Sequence, residues 1–340
     1  MYIKQFKDMD EPNSYFRQVF RYQLRAKQYG SKRVIMDMYE NGDITDNDIK
    51  MFKFLYEVKI ATKNQILRRF SWMKEELFEK LTENWINQRF MNVFVLSNDQ
   101  DEDPFQSDAL KFYTIDFCTV TLLKFFVSDN DLINWNPRSL LMPWHLIKKR
   151  LLSTEFRIAM ETKLARQPIT YENNLMFIFG RFRLVLDAQI FMNVAKEDDN
   201  VLAKPFLQVS YTEEDFEYGD HTRINEALGR YQYWYEKEGW KSNFRDAPIF
   251  WILADTFESF KHLQRLIEDI IEVANERSEK FDIPDVPFHE AIRITCKEMF
   301  DGNLENCFVK YDLNEKKWLR TNESFLAEKI DVSKIYAKKS

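Results

Sequence analysis

Glycine, proline, cysteine and histidine are all scarce in this sequence. Seven Gly and nine Pro in 340 residues are too few for the many tight turns of an all-β sandwich or barrel. The three Cys and four His are scattered, without the spacing of a metal site, so we expect ordinary reduced thiols and no zinc centre. The composition therefore favours a mainly helical or α+β chain.

Long apolar runs are missing as well. No stretch approaches the ~18 consecutive apolar residues that a membrane-spanning helix needs. Lys4, Lys7 and Asp8 stand where a secretory signal would carry its apolar region. The sequence thus predicts a cytoplasmic protein that does not contact a membrane.

Motifs of the common cofactor and hydrolase sites are also absent. The chain contains no glycine-rich phosphate or dinucleotide motif, no His-Glu-x-x-His motif and no Gly-x-Ser-x-Gly motif. We therefore expect no cofactor and no bound metal.

What the sequence does contain is ample apolar content and an uneven distribution of charge. Its 340 residues, 45% of them apolar, predict two domains with sizeable cores. The net charge is −6, yet residues 1–33 hold eight Lys or Arg against three acids, and residues 97–108 hold five acids and no base. A local basic region can bind a polyanion even in an acidic protein.

The N-terminal region, residues 1–43, is predicted to be a basic helical arm. Apolar residues recur at helical spacing over residues 13–29, at Phe16, Val19 and Phe20. Three arginines follow at four-residue spacing on another stripe of this helix: Arg17, Arg21 and Arg25. That stripe is either a phosphate-contacting surface or the solvated face of an amphipathic helix.

Residues 44–128 are predicted to form a winged helix-turn-helix domain. Thr45 with Asp48 resembles a capping box, and Thr62 with Gln65 forms one, each in front of apolar residues at helical spacing. The connection between these two helices is short, as is typical of a helix-turn-helix.

A third helix, capped by Ser71, takes the position of a recognition helix. Its buried stripe is predicted to be apolar: Leu77, Leu81 and Trp85, with Phe78 and Ile86. Its exposed positions are neutral to acidic: Lys74, Glu75, Glu79, Lys80 and Glu83. This balance of charge weakens the expectation of a major-groove contact through the helix.

Two strands, residues 90–96 and 110–115, are predicted to form the wing. The loop between them, residues 97–109, carries acids that phosphate would repel. We expect this loop to face solvent, a protein partner or a cation.

Residues 129–143 are predicted to be a linker, and residues 144–340 a second domain with a C-terminal extension. The elements predicted for it are a helix at 144–166, strands at 175–179, 182–194 and 205–211, a helix at 222–238, a strand at 248–254 and a helix at 257–280. This order favours a mixed sheet flanked by helices. No element is predicted after residue 280.

The order of these motifs resembles the bacterial replication-relaxation family. The segments that carry the resemblance lie between residues 45 and 271: Trp144-His145, Leu186-Asp187-Ala188 where the family has Pro-Asp-Ala, Pro205 to Ser210, Ala227 to Tyr235, and Pro248 to Ala254. The resemblance implies a winged helix followed by a domain similar to the PD-(D/E)xK nuclease fold. It also implies a role in the replication or relaxation of plasmids or other mobile DNA.

Asp187 is the one candidate catalytic residue. A nuclease site of this type needs an acid on one strand and an acid plus a lysine on the next, to hold a divalent cation. The second strand offers Gln208, Val209 and Ser210, which supply neither. Asp187 is therefore either a relic of a metal site or a residue that caps or pairs structurally.

The sequence as a whole predicts an α+β protein, a winged helix-turn-helix followed by a mixed-sheet, restriction-endonuclease-like domain. We expect a non-catalytic, homodimeric protein of a plasmid, phage or integrated element that binds double-stranded DNA in replication, relaxation or transcriptional control. The expected DNA contacts are Arg17, Arg21, Arg25, Lys32, Arg33, Lys63, Lys74, Lys80 and Arg89. The alternatives are an adaptor that binds a protein through its acidic winged-helix surface and a metal-dependent nuclease.

Overall fold

The structure is a computed structural model in which the chain divides into two compact units, Met1–Thr154 and Glu155–Ser340. The described residues are 2–7, 15–20, 31–97, 110–126, 144–163, 170–195, 201–217, 221–281, 288–304 and 306–321. The predicted linker, residues 129–143, and most of the predicted acidic loop, residues 98–109, lie outside them. Both units contain helices and strands, and neighbouring strands are largely antiparallel, so the chain is α+β as predicted.

The first unit begins with a hairpin of strands and continues with short helices. Its elements are β1 (Tyr2–Lys7), β2 (Tyr15–Phe20), α1 (Lys32–Glu40), α2 (Asp46–Val58), β3 (Ala61–Thr62), α3 (Lys63–Arg69), α4 (Glu75–Asn87), β4 (Met91–Ser97), β5 (Leu110–Ile115) and α5 (Phe117–Leu123). Helix α6 (Trp144–Lys163) follows and contains the boundary between the units.

Two of the helix starts confirm the predicted capping boxes. At α2 the Thr45 hydroxyl accepts a hydrogen bond from the Asp48 amide, and the Asp48 carboxylate accepts one from the Thr45 amide at 2.9 Å. At α3, Thr62 and Gln65 make the same reciprocal pair. These bonds satisfy backbone donors that the first turn of a helix leaves without a partner.

The sheet of the first unit is antiparallel throughout, in the order β1-β2-β4-β5-β3. β4 pairs with β5 from Met91 opposite Ile115 to Leu96 opposite Leu110. β3 adds to the other side of β5, and β2 adds to the outer edge of β4. The sheet therefore holds the pair β4–β5 between one short strand and one hairpin.

The predicted helix over residues 13–29 is wrong where the structure describes it, because Tyr15–Phe20 is the strand β2. Residues 21–29 lie outside the described residues. The predicted helical arm, residues 1–43, is instead a strand hairpin followed later by α1. Aromatic and β-branched residues suit either structure locally, and pairing with β1 and β4 supplies the ladder that decides for a strand.

Aromatic rings fill the core beneath α2 and α4. Phe52, Trp85 and Phe90 contact one another, with ring centroids 5.0 to 5.7 Å apart. The buried stripe of α4 consists of Phe78, Thr82, Trp85 and Ile86. The prediction of Leu77 as a buried residue is wrong, since 40% of it is exposed. The buried stripe contains Phe78 and also the polar Thr82. Thr82 can be buried at low cost in free energy because its hydroxyl donates to the Phe78 carbonyl.

The second unit continues with the remainder of α6. It then contains β6 (Thr170–Phe179), β7 (Phe182–Ala195), β8 (Val201–Tyr211), α7 (Glu213–Glu217), α8 (His221–Glu236), a short 3₁₀ helix (Gly239–Ser242), β9 (Ile249–Ala254), α9 (Phe257–Phe281), α10 (Phe288–Ala291), β10 (Ile292–Cys296), α11 (Lys297–Gly302), β11 (Val309–Asp312) and β12 (Lys317–Arg320). The elements predicted between residues 144 and 280 are confirmed, with changed ends.

Seven strands form one mixed sheet in the order β12-β11-β10-β9-β8-β7-β6. β6, β7 and β8 are consecutive antiparallel neighbours, whereas β8–β9 and β9–β10 are parallel. The C-terminal strands, for which nothing was predicted, widen the sheet beyond β9. A mixed sheet was expected, and the C-terminal extension is part of it.

Both faces of this sheet are covered by apolar contacts at its centre, around β9. On one face Phe250 and Ile252 belong to a core shared with α8 and α9. On the other face Trp251 stacks on Phe206 and meets Phe156 of α6 edge-on, with centroids 4.2 and 5.4 Å apart. A strand buried on both faces is uniformly apolar, as β9 is.

Within the described ranges, no helix combines the length and the apolar character that crossing a bilayer requires.

We expect Phe78→Ala to lower the free energy of unfolding of the first unit by about 3–5 kcal/mol, because it leaves a cavity at a fully buried site. Leu77→Ala is the matched control, and its exposed side chain predicts a loss below about 1 kcal/mol. Urea unfolding measures both. Equal losses would mean that α4 is rotated so that Leu77 faces the core.

Candidate nucleic-acid interface and candidate active site

Helices α3 and α4 are joined by a turn that is anchored by apolar residues. The Met73 amide donates to the Phe70 carbonyl at 2.8 Å, and both side chains are buried. Helix α4 then begins at Glu75, with Lys74 at the N-cap position and no side-chain cap. The predicted cap at Ser71 is wrong, because residues 71–74 precede the helix, which begins at Glu75. Glu75 and Glu76 stabilise the first helical turn through the helix dipole.

Lys63 is held by two carboxylates of α4. Its Nζ lies 2.5 Å from a Glu75 oxygen and 2.7 Å from a Glu79 oxygen. Partial burial opposes the charge of Lys63, but its hydrogen bonds with Glu75 and Glu79 outweigh burial and raise its pKa. The same contact lowers the pKa of Glu79. Lys63 therefore links α3 to α4 and brings a positive charge to an acidic helix face.

Arg89 is also engaged within the first unit. Its Nε lies 3.4 Å from a carboxylate oxygen of the buried Asp116, whose other oxygen accepts from the Phe117 amide at the start of α5. Burial raises the pKa of Asp116 although the charge of Arg89 opposes that shift. The pairing keeps a buried carboxylate from being left without a cation.

The other predicted DNA contacts differ in their surroundings. Lys32, Arg33, Lys74 and Lys80 are exposed, and none forms an ion pair with a described residue. Lys32 Nζ lies 4.8 Å from the centroid of the Phe125 ring. Arg17 is a β2 residue opposite Gln5 and Val95. Arg21 and Arg25 lie outside the described residues.

Asp187 lies where β7 separates from β8. The register of the two strands runs from Ala195 opposite Val201 to Ala188 opposite Gln208 and ends there. One carboxylate oxygen of Asp187 accepts a hydrogen bond from the Ser210 amide. Asp187 thus replaces a carbonyl that the next pair of the ladder would have supplied.

Tyr231 bonds to a backbone group of β7 near the same point. Its hydroxyl donates to the Val185 carbonyl at 2.6 Å. Burial raises the pKa of Tyr231, and the negative charge of Asp187 adds to the shift, so the hydroxyl keeps its proton. Nothing local in the sequence predicts this bond, because its two partners are 46 residues apart.

Gln208 and Arg157 belong to a buried polar chain on the α6 side of the sheet. Tyr171 donates to the Gln208 side-chain oxygen, and the guanidinium of Arg157 lies 4.9 Å from the centroid of the Tyr171 ring. Arg157 in turn donates to Glu161 at 2.9 Å. This cluster was not predicted from the sequence, because its members come from a helix and from two strands far apart along the chain.

The chemistry open to this site is limited by these bonds. Asp187 accepts from a backbone amide and Gln208 accepts from a tyrosine. The nearby acid Asp215 accepts from the Thr212 amide at 2.8 Å at the start of α7. Within the described part of the chain, no group of three His, Cys, Asp or Glu side chains is arranged to hold a metal ion.

No protein-family model, curated protein or solved structure matches this chain.

We expect Asp187→Ala to lower the free energy of unfolding by about 1–3 kcal/mol, because it leaves the Ser210 amide without its acceptor. Asp187→Asn keeps an acceptor oxygen and is expected to lose less. Asp269→Ala, at an exposed position of α9, is the matched control. Equal stability of the Asp187→Ala and Asp269→Ala variants in urea would contradict the structural role.

The three cysteines form no disulfide and are buried, and burial raises the pKa of Cys296 to about 11 and those of Cys118 and Cys307 to about 12. Because only the thiolate reacts, we expect alkylation of the folded protein at pH 8 to be on the order of a hundredfold slower than that of the unfolded chain. Mass spectrometry after timed iodoacetamide labelling measures this. Rapid labelling of any of the three in the folded state would contradict it.

Proposed function

We propose that this chain is a DNA-binding protein whose first unit is a winged helix-turn-helix domain. The observation that carries the proposal is the order α2, β3, α3, α4, β4, β5 together with the position of β5 between β3 and β4. Two helices joined by a short turn and followed by an antiparallel ribbon are the parts of a winged helix. The added strands β1 and β2 extend the ribbon on its outer side.

The exposed cations that form no ion pair with a described residue are the best candidates for phosphate contacts. Lys74 and Lys80 lie on α4, the helix in the recognition position, and Lys32 and Arg33 begin α1. Lys63 and Arg89 hold elements of the unit together, so we assign them a structural role instead. Lys63 also offsets two of the carboxylates that would repel DNA from α4.

The second unit is proposed to be a non-catalytic scaffold similar to the PD-(D/E)xK fold. Support comes from its sequence of elements: helix α6, three antiparallel strands, helix α8 and then β9 parallel to β8. Asp187 and Gln208 occupy the expected neighbouring strands, but each is hydrogen-bonded within the unit. With the resemblance to the replication-relaxation family, this supports a role on plasmid, phage or integrated DNA, as a homodimer that spans two half-sites.

A second candidate function is that of an adaptor for a protein partner. It is favoured by two large apolar side chains near the start of α4, Trp72 and Leu77, which are 42% and 40% exposed. Glu75, Glu76 and Glu79 lie on the same helix. A partner with basic and apolar side chains would suit this surface better than phosphate does.

The salt dependence of binding to a duplex tests the first candidate against the second. We expect log K to fall steeply with log salt, and the Lys74→Ala, Lys80→Ala double variant to reduce that slope by about 1.8, two phosphate contacts at about 0.9 each. Lys50→Ala with Lys53→Ala removes the same charge from exposed positions of α2 and serves as the control. Fluorescence anisotropy with a labelled duplex measures all three.

Two results would count against DNA binding through α4. No binding of the wild-type chain to any duplex, or a response that is flat with salt, would favour the adaptor. Equal slopes for the α4 variant and the α2 control would mean that the duplex is contacted elsewhere.

A further inference from the structure

The end of the β6–β7 hairpin carries an exposed surface that the proposed function does not use. The strands are joined by Gly180 and Arg181, with Phe179 opposite Phe182, and the positive φ of 57° at Gly180 suits a glycine in a tight hairpin turn. Residues 182–187 of β7, which precede Ala188, pair with β6 but not with β8. This end of the hairpin is therefore a two-stranded ribbon.

One face of this ribbon is packed against α8. Phe177 stacks on Trp234 with centroids 5.8 Å apart, and Phe179 and Phe182 both contact Tyr233. Because side chains alternate along a strand, the residues between these aromatics point to the opposite face. The ribbon is therefore held firmly on one side only.

The opposite face is apolar and uncovered. Met176 lies opposite Val185, and Ile178 lies opposite Arg183. The exposed fractions are 52% for Met176, 62% for Val185 and 70% for Ile178. Three neighbouring apolar side chains this exposed mark an interaction surface, since single exposed apolar residues are common but clusters are not.

The charge at this surface is positive and uncompensated. Arg181 and Arg183 are exposed, no acid occurs between Leu175 and Leu186, and neither arginine forms an ion pair with a described residue. Some exposed cations of the second unit are paired, for example Arg230 with Glu226 at 3.1 Å and Lys241 with Glu238. Arg181 lies 5.4 Å from the centroid of the Phe182 ring, a contact that leaves its charge in place. In a chain of net charge −6, two arginines at one hairpin end without an ion pair to a described residue favour an anionic partner.

We propose that this surface, defined by Met176, Ile178, Arg181, Arg183 and Val185, is a second DNA-contacting element. The inference rests on the proposed function and adds a contact from the nuclease-like unit. A two-stranded ribbon fits a groove of duplex DNA. Arg181 and Arg183 contact phosphates, and the apolar side chains lie against the sugar edges that line the groove.

The experiment compares duplex binding by the full chain and two matched variants over about 50 to 200 mM salt. The Arg181→Ala, Arg183→Ala double variant is expected to bind more weakly and with a slope reduced by about 1.8. Arg230→Ala, which removes an exposed but paired arginine, is expected to keep the wild-type slope. Ile178→Ser is expected to weaken binding by a similar factor at every salt concentration, because it removes an uncharged contact.

The outcomes separate this inference from the proposed function. If the wild type and the Lys74→Ala, Lys80→Ala variant behave as proposed above but the hairpin variant binds like the wild type, the inference is overturned and the proposed function stands. A further variant, Ile178→Asp, tests whether a second copy of the chain binds here. If this variant is a monomer in sedimentation velocity where the wild type is a dimer, and the arginine variant binds DNA like the wild type, then the surface binds a second copy and the inference is overturned. If the wild type binds no duplex, both proposals are overturned.

Discussion

The separation of β7 from β8 is the constraint on which the second unit depends. On the N-terminal side of Ala188, β7 no longer exchanges hydrogen bonds with β8, and polar backbone groups are left in the interior. Asp187 accepts from one of them and Tyr231 donates to another. These two side chains supply partners for two backbone groups where a long hairpin diverges from its sheet. The same bonds occupy the carboxylate that a nuclease would need for a metal ion.

In the first unit, ion pairs divide the basic residues into two groups. Lys63 and Arg89 are paired with carboxylates and connect neighbouring elements, whereas Lys74 and Lys80 are exposed on α4. A paired cation releases few counterions when it meets phosphate, because its charge is already neutralised. The number of Lys and Arg in a sequence therefore overstates the surface that can bind DNA.

The sequence predicted best those features that are local. Thr62 and Gln65 are three residues apart, so their capping box could be identified without knowing the fold. Tyr15–Phe20 could not be assigned correctly, because its structure is decided by pairing with β4, about 75 residues further along the chain. The role of Asp187 was left open for the same reason. Its acceptor role depends on where two strands stop pairing, and no spacing in the sequence records that point.

The two edges of the seven-stranded sheet are protected to different degrees. β12 begins with Lys317 and ends with Arg320, and charged side chains on an edge strand discourage pairing with another molecule. β6 carries no charge after Glu172 over the rest of its length. Its far end is apolar, and no described strand pairs with its outer side, so strand-to-strand aggregation of the free protein at high concentration can begin there. A partner bound to the hairpin would then also protect the protein from aggregation during purification and storage.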